Sequence, residues 1–179
     1  MLNLFILIRL AIRMATLKLS INKLFYPLIR LVIIVGILLV VWFSYAGGYD
    51  PSLLPGLLII ICIPVLPTLY LLIEYFVVTN GLVVDIGDDY VNVKYRNGKE
   101  LQYAFDQIEL IKLFKSAGMD KGGIPFQTAE RYYHAEIFTK DGKKIILTSV
   151  LAPDFDGAIE KFKNLNIDVT RTVYSTIYI

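Results

Sequence analysis

Two long apolar stretches within the first 79 residues constrain this chain more than any other feature. They run over residues 24–46 and 53–78, and a short polar patch at residues 47–52 separates them. The first contains the apolar run Leu31–Phe43, and the second carries no charge before Glu74. A helix that crosses a bilayer needs about 20 mostly apolar residues. Both stretches meet that length, so the sequence predicts a hairpin of two transmembrane helices.

The positive charges of the first half predict how this hairpin is oriented. All five of its lysines and arginines precede the run Leu31–Phe43, and none lies between the two stretches. Basic residues that flank membrane helices stay on the cytoplasmic side. We therefore expect a multi-pass protein of the cell inner (cytoplasmic) membrane, with residues 47–52 outside and both the N-terminus and the C-terminal part in the cytoplasm.

A cleaved signal peptide is the competing interpretation of the first stretch. Ser44-Tyr45-Ala46 offers small residues where a signal peptidase cuts. However, 30 residues precede the main apolar run and a second apolar stretch follows it, whereas signal peptides have short basic leaders and no second crossing. The sequence therefore favours a membrane hairpin.

Residues 1–23 are predicted to form a basic amphipathic helix. Its polar residues recur at helical spacing, which places them on one stripe: Arg9, Arg13, Thr16, Ser20 and Lys23. Such a helix can lie in the headgroup plane of an anionic leaflet. Two alternatives stay open, a helix packed against the soluble part and a start codon assigned too early.

Arg30 and Glu74 are charges close to the predicted cytoplasmic ends of the two crossings. The long stem of an arginine can follow apolar surface while its guanidinium reaches the headgroups. The two charges could also pair across the hairpin. Cys62, the single cysteine, is interpreted as a small side chain inside the membrane.

After residue 78 the hydrophobic period changes to two, which is typical of strands. Asn97-Gly98 and Asp141-Gly142 stand between alternating runs and predict two hairpin turns. Residues 155–165 have helical spacing with Asp154 as a candidate N-cap. The predicted order is four strands, a long loop, two strands, a helix, and a last strand within residues 167–179.

These segments resemble bacterial membrane proteins that carry a pleckstrin-homology-like (PH-like) domain directly after two membrane helices. The residues that carry the resemblance are Tyr75–Val84, Phe105–Ile108, Tyr132–Ile137 and Asp141–Lys144. The resemblance implies an α+β membrane protein, in which a two-helix transmembrane hairpin is followed by a PH-like antiparallel β-barrel or sandwich capped by a C-terminal helix. The resemblance covers about residues 24–165 and leaves out the N-terminal helix and the C-terminal strand. Together with the residue patterns, it predicts three domains: the basic helix at 1–23, the hairpin at 24–78, and a cytoplasmic PH-like domain with a C-terminal strand at 79–179.

No group of residues predicts catalysis, a cofactor or a metal. Counted as a calcium loop from Asp85, the sixth and twelfth positions hold Tyr90 and Arg96 instead of glycine and glutamate. His134 is the only histidine, and we expect it to be hydrogen-bonded to Glu136 or to a neighbouring strand. The glycine-containing residues 115–123 lack the order of a phosphate-binding loop.

Contacts with anionic lipid are the only predicted site. PH-like domains that bind inositol lipids use basic residues around their first hairpin, but the first turn here is acidic. The candidate contacts are therefore scattered basic residues: Arg9, Arg13, Lys23, Arg30, Lys94, Arg96 and Lys99.

The predicted function is that of a non-enzymatic, membrane-anchored interaction module, whose cytoplasmic domain contacts protein or lipid partners. The alternative is a small accessory or regulatory subunit of a transport or envelope-assembly complex, acting through its membrane helices. The expected partners are the lipid bilayer and a protein, or a second copy of the chain. Residues 79–179 carry 13 basic and 14 acidic side chains. They therefore lack the concentrated positive charge that nucleic-acid binding needs.

Overall fold

A computed structural model describes residues 15–45, 52, 54–116, 119, 128–152 and 154–177. Arg9, Arg13 and most of the predicted outer loop lie outside the described residues. So do most of the long loop before residue 128 and the last two residues of the tail.

Both apolar stretches form long helices that pack against each other, α1 (Ile21–Tyr45) and α2 (Leu54–Thr79). Their 25 and 26 residues make them long and apolar enough to cross a membrane. Most of their side chains are exposed, among them Val32 at 71% and Ile59 at 64%. Protein therefore covers little of the apolar surface of either helix.

Charged and proline residues are accommodated within the hairpin without breaking it. α2 continues through Pro64 and Pro67, and the Thr68 hydroxyl donates to the Pro64 carbonyl at 2.7 Å. Glu74 accepts a hydrogen bond from the Tyr70 hydroxyl at 3.4 Å. Among the described ion pairs none joins Arg30 to Glu74, so the predicted pairing across the hairpin is not seen.

In the described part of the chain, eight strands form two four-stranded sheets. The first sheet has the order β1-β2-β3-β4, from β1 (Ala15–Lys18), β2 (Val83–Ile86), β3 (Tyr90–Lys94) and β4 (Glu100–Ala104). The second has the order β7-β6-β5-β8, from β5 (Ile108–Ser116), β6 (His134–Thr139), β7 (Lys144–Thr148) and β8 (Ile167–Thr172). Both predicted hairpin turns are confirmed, with Gly98 at φ 81° and Gly142 at φ 79°, where a side chain would be strained.

β1 corrects the predicted domain boundaries. Residues 15–18 are a strand and not part of a basic helix over 1–23, and they pair antiparallel with β2, Lys18 opposite Val83. The alternation of an exposed Thr16 with a buried Leu17 fits a strand, whereas the helical stripe did not account for Leu17. The hairpin α1–α2 is therefore inserted between the first two strands of the β-domain instead of preceding the domain.

The main core lies between the two sheets and beneath the C-terminal helix, α3 (Phe155–Glu160). Strand residues at alternate positions fill it, and Val84, Val91, Val93, Ile111, Ala135, Ile137 and Leu147 are each 0% exposed. Asp154 caps α3 as predicted, because its carboxylate accepts a hydrogen bond from the Gly157 backbone. α3 is shorter than residues 155–165, and tighter turns continue it to Leu165.

β8 corrects the prediction of a purely antiparallel domain. It pairs in parallel with β5, from Ile167 opposite Ile111 to Thr172 opposite Ser116. A parallel neighbour needs a crossover connection, and the segment that contains α3 supplies it. The predicted C-terminal strand is thus present and covers the outer edge of β5.

The insertion predicts that the β-domain can close without α1 and α2 but needs β1. Lys18 and Val83 are sheet neighbours, so an Asn-Gly turn joining residues 15–18 to 83–177 should restore a continuous hairpin. We expect this chain to be more stable in urea than residues 83–177 alone, by about 2–3 kcal/mol, since β1 buries Leu17. Equal stability of the two chains would show that β1 is dispensable.

Candidate functional site

A second apolar cluster joins the β-domain to the adjacent ends of α1 and α2. From the helices it contains Leu24, Leu71 and Tyr75, each at most 2% exposed. The β-domain contributes Ala129, Tyr132 and Val150, and the C-terminal tail contributes Ile177. No sequence pattern predicted this cluster, because its members come from five separate segments.

A buried hydrogen-bond network lies at the centre of this junction. The Tyr75 hydroxyl on α2 donates to the Ser175 carbonyl at 2.8 Å and lies 3.1 Å from His134 Nδ1. The Ser175 hydroxyl donates to the Phe114 carbonyl and lies 2.9 Å from the same nitrogen. Since both hydroxyl protons are used by carbonyls, Nδ1 carries a proton and donates to these oxygens. His134 is thus hydrogen-bonded as expected, but to α2 and the tail and not to Glu136.

Three further hydrogen bonds cross the junction close to the helix ends. The Tyr132 hydroxyl donates to the Leu24 carbonyl at 2.8 Å. The hydroxyls of Thr79 and Thr148 lie 2.6 Å apart, and the Ser20 amide donates to the Val150 carbonyl at 2.7 Å. Because these groups are held from both sides, the hairpin and the domain form one packed unit.

A cavity of about 480 Å³ opens beside this junction, where α1 begins. Its lining includes Lys23, Tyr26, Arg131, Tyr133 and Asp156. The cavity is therefore lined by two basic side chains and one carboxylate.

The carboxylate of Asp156 is held by two neighbouring side chains. Asp156 pairs with Lys115 at 2.7 Å and accepts the Tyr133 hydroxyl at 2.8 Å. Although burial alone would raise it, the pKa of Asp156 is lowered by these hydrogen bonds from Lys115 and Tyr133. Burial raises the pKa of Tyr133, and the Asp156 charge raises it further. Asp156 therefore stays ionised and Tyr133 stays protonated at neutral pH.

Arg131 forms no ion pair with a carboxylate in the described part of the chain. The Arg131 guanidinium lies 5.2 Å from the centre of the Tyr26 ring, and its Nε is buried without a hydrogen-bond partner. Burial lowers the pKa of Arg131, and the charge of nearby Arg30 lowers it further. Lys23 is also absent from the described ion pairs, but its charge contributes to the lowered pKa of Asp156.

The structure divides the basic residues predicted from the sequence. Lys23 lies in the first turn of α1 and lines the cavity, whereas Arg30 lies about two turns further along α1 and is not among the lining residues. Lys94, Arg96 and Lys99 are exposed at the β3–β4 turn and contribute nothing to the cavity.

Sequence reasoning missed Arg131, which follows the undescribed part of the long loop. Its one available signal was its place directly before the aromatic pair Tyr132-Tyr133, which marks the start of a buried strand.

The burial of His134 predicts an acid-sensitive fold. Burial lowers the pKa of His134 to about 4, whereas an unfolded histidine titrates near 6.5. The contribution of neutral His134 to the free energy of unfolding is complete above about pH 6.5. It is lost as the pH falls towards 4, because His134 takes up a proton in the unfolded chain first.

We expect the detergent-solubilised chain to lose about 2–3 kcal/mol of unfolding free energy between pH 7 and 4.5 through His134. H134N keeps a polar atom near the Nδ1 position and should lose less over the same range, as measured by urea unfolding with circular dichroism. The same loss in both chains would assign the acid sensitivity to other groups.

Comparison with known proteins agrees with this architecture. A family model described as a PH domain matches residues 11–157, a range that includes β1, both long helices and all strands up to β7. No curated protein matches the chain.

One solved structure, described as the Spt16D Pob3N heterodimer, is 14% identical with a TM-score of 0.35. The match covers 55% of this chain and 51% of that chain, so the chain spans about half the length of that structure. At this TM-score the likeness supports no conclusion about partners. The family match covers most of the chain and includes the strand on each side of the hairpin. The chain therefore belongs to the PH domain family.

Proposed function

We propose that this protein is a non-enzymatic, membrane-anchored interaction module, which holds a PH domain against the cytoplasmic face of the inner membrane. The observation that carries the proposal is the insertion of α1 and α2 between β1 and β2. Two residues separate β1 from α1, and three separate α2 from β2. Connections this short leave the domain no freedom to move away from the bilayer.

The exposed faces of the two helices support the bilayer as their surroundings. Soluble proteins rarely expose apolar patches larger than a few hundred Å². Here large apolar side chains are exposed along both helices, including Ile33, Ile37, Val40, Ile63, Leu66 and Ile73, each more than half exposed. A soluble core or a cleaved signal sequence would leave this surface, on one helix or both, in water.

The charges at the junction support the proposed orientation. Lys23 and Arg30 lie in the half of α1 that is close to the β-domain, and Arg131 of that domain lies near Arg30. Basic residues beside membrane helices favour the cytoplasmic side. This supports a β-domain on the cytoplasmic side.

An interaction role, and not catalysis, is supported by the state of the polar groups in the cavity. The Asp156 carboxylate already pairs with Lys115 and accepts a hydrogen bond from the Tyr133 hydroxyl.

A surface for a protein partner is available at β8, which is an edge strand of the second sheet and exposes Val169 at 42%. Edge strands can accept a further strand from a partner.

The proposed topology predicts which positions an impermeant thiol reagent reaches in intact cells. Cys62 is first replaced by alanine, and single cysteines are introduced at Ser52, between the helices, or at Asn97, in the β3–β4 turn. We expect labelling of S52C from outside and labelling of N97C only after the cells are opened.

Extraction with alkaline carbonate provides the control for insertion, because inserted helices remain in the pellet. Release of the chain by carbonate would contradict membrane anchoring. Labelling of N97C in intact cells would reverse the orientation.

A further inference from the structure

We propose that a groove on the outer face of the second sheet binds a small, uncharged, planar amide, with Thr172 and His134 as its hydrogen-bonding residues. The groove has a volume of about 640 Å³, a size at which proteins commonly bind small molecules. It lies between β6 and the tail that follows β8, and its lining includes Phe114, His134, Thr172 and Tyr174. It shares no described lining residue with the cavity beside α1, and it does not depend on membrane anchoring.

The position of the groove follows from the alternation of side chains along β6. Ala135 and Ile137 point into the main core, so His134 lies on the opposite, outer face of the sheet. Phe114 of β5 is the register partner of His134, and the two rings stack with their centres 4.7 Å apart. The tail passes over this face, because the Ser175 hydroxyl lies 2.9 Å from His134 Nδ1. The groove lies beside this crossing.

Two polar atoms of the groove lack a hydrogen-bond partner in the described part of the chain. The Thr172 hydroxyl oxygen is buried and unpaired, although buried polar groups are normally hydrogen-bonded. On His134, the hydrogen bonds with Tyr75 and Ser175 use Nδ1 alone. Because Nδ1 carries the proton of the neutral ring, Nε2 presents a lone pair and can only accept. The groove therefore offers one acceptor and one hydroxyl that can donate.

The charged side chains of the groove favour an uncharged ligand. Glu136 and Lys144 are the charged residues of its described lining, and they pair with each other at 2.9 Å. An anion would have to compete with Glu136 for Lys144, and a cation would have to compete with Lys144 for Glu136. The lining also includes Phe114, Val173 and Tyr174, which supply apolar and aromatic surface for a flat ring.

An amide attached to a ring, or contained in one, meets all of these requirements. Its N–H donates to His134 Nε2, and its carbonyl accepts from the Thr172 hydroxyl. Its ring packs against the aromatic side chains and brings no charge to the pair of Glu136 and Lys144. Aryl carboxamides and lactam heterocycles share this chemistry, and they define the proposed ligand class.

The test uses benzamide as the probe and the full chain purified in dodecyl maltoside. Saturation-transfer NMR detects the bound probe, and a titration gives its dissociation constant. We expect saturable binding of benzamide by the wild-type chain. Methyl benzoate keeps the ring and the carbonyl but has no N–H, so it should bind about fivefold more weakly, as expected for the loss of one hydrogen bond.

The variant T172V removes the hydroxyl of the groove and keeps the shape of the side chain. It should weaken benzamide binding about fivefold. It should not lower the urea midpoint of the ligand-free chain, because the deleted oxygen is buried without a partner in the described part of the chain. T170V is the matched control, since Thr170 lies on the same face of β8 and is not among the lining residues. It should bind benzamide like the wild type.

Three results would overturn the proposal. The first is the absence of saturable benzamide binding by the wild-type chain. The second is equal binding by the wild-type, T172V and T170V chains, which would place the probe elsewhere or in the micelle. The third is equal binding of benzamide and methyl benzoate, a comparison that needs no variant and so remains decisive if T172V does not fold. Thiol labelling measures membrane anchoring separately, so any of these results would refute this inference alone.

Discussion

The pairing of β1 with β2 is the constraint on which the rest of the structure depends. These strands are neighbours about 4.8 Å apart, yet the whole hairpin α1–α2 separates them along the chain. The first turn of α1 and the last turn of α2 must therefore lie side by side at the edge of the β-domain. Their spacing, about 8–10 Å for packed helices, is set at this end by the sheet. The second apolar cluster and the cavity both form at this point, because the pairing of β1 with β2 determines where the helix ends lie.

The junction is held by groups that would be costly to separate. Tyr75, His134 and Ser175 are at most 2% exposed, and each supplies a hydrogen-bonding partner to another. Breaking one bond leaves a buried polar atom unsatisfied, which costs about 1–3 kcal/mol. The C-terminal tail takes part through Ser175 and Ile177. Ser175 is hydrogen-bonded to Tyr75 of α2, and Ile177 belongs to the second apolar cluster. Under the proposed function, this packing would make the domain follow any tilt of the hairpin.

Sequence patterns predicted the elements well and their assembly poorly. The lengths of α1 and α2, the turns at Gly98 and Gly142, and the cap at Asp154 are local features, and the structure contains all of them. β1 was missed because four residues beside a basic segment fit a helical stripe as well as a strand. The cavity was missed in part because Arg131 lies about 100 residues after Lys23. No spacing rule connects residues that far apart.

The sequence by itself determined that this chain has two helices able to span a bilayer and a mixed-charge, strand-rich part, because hydrophobic length and period are properties of neighbouring residues. Only the tertiary structure decided that the hairpin lies inside the β-domain, that β8 runs parallel to β5, and that His134 is bonded to α2 and the tail. These facts depend on pairings between residues about 40 to 70 positions apart. Such pairings are chosen by which buried surfaces and polar groups satisfy one another once the chain has folded.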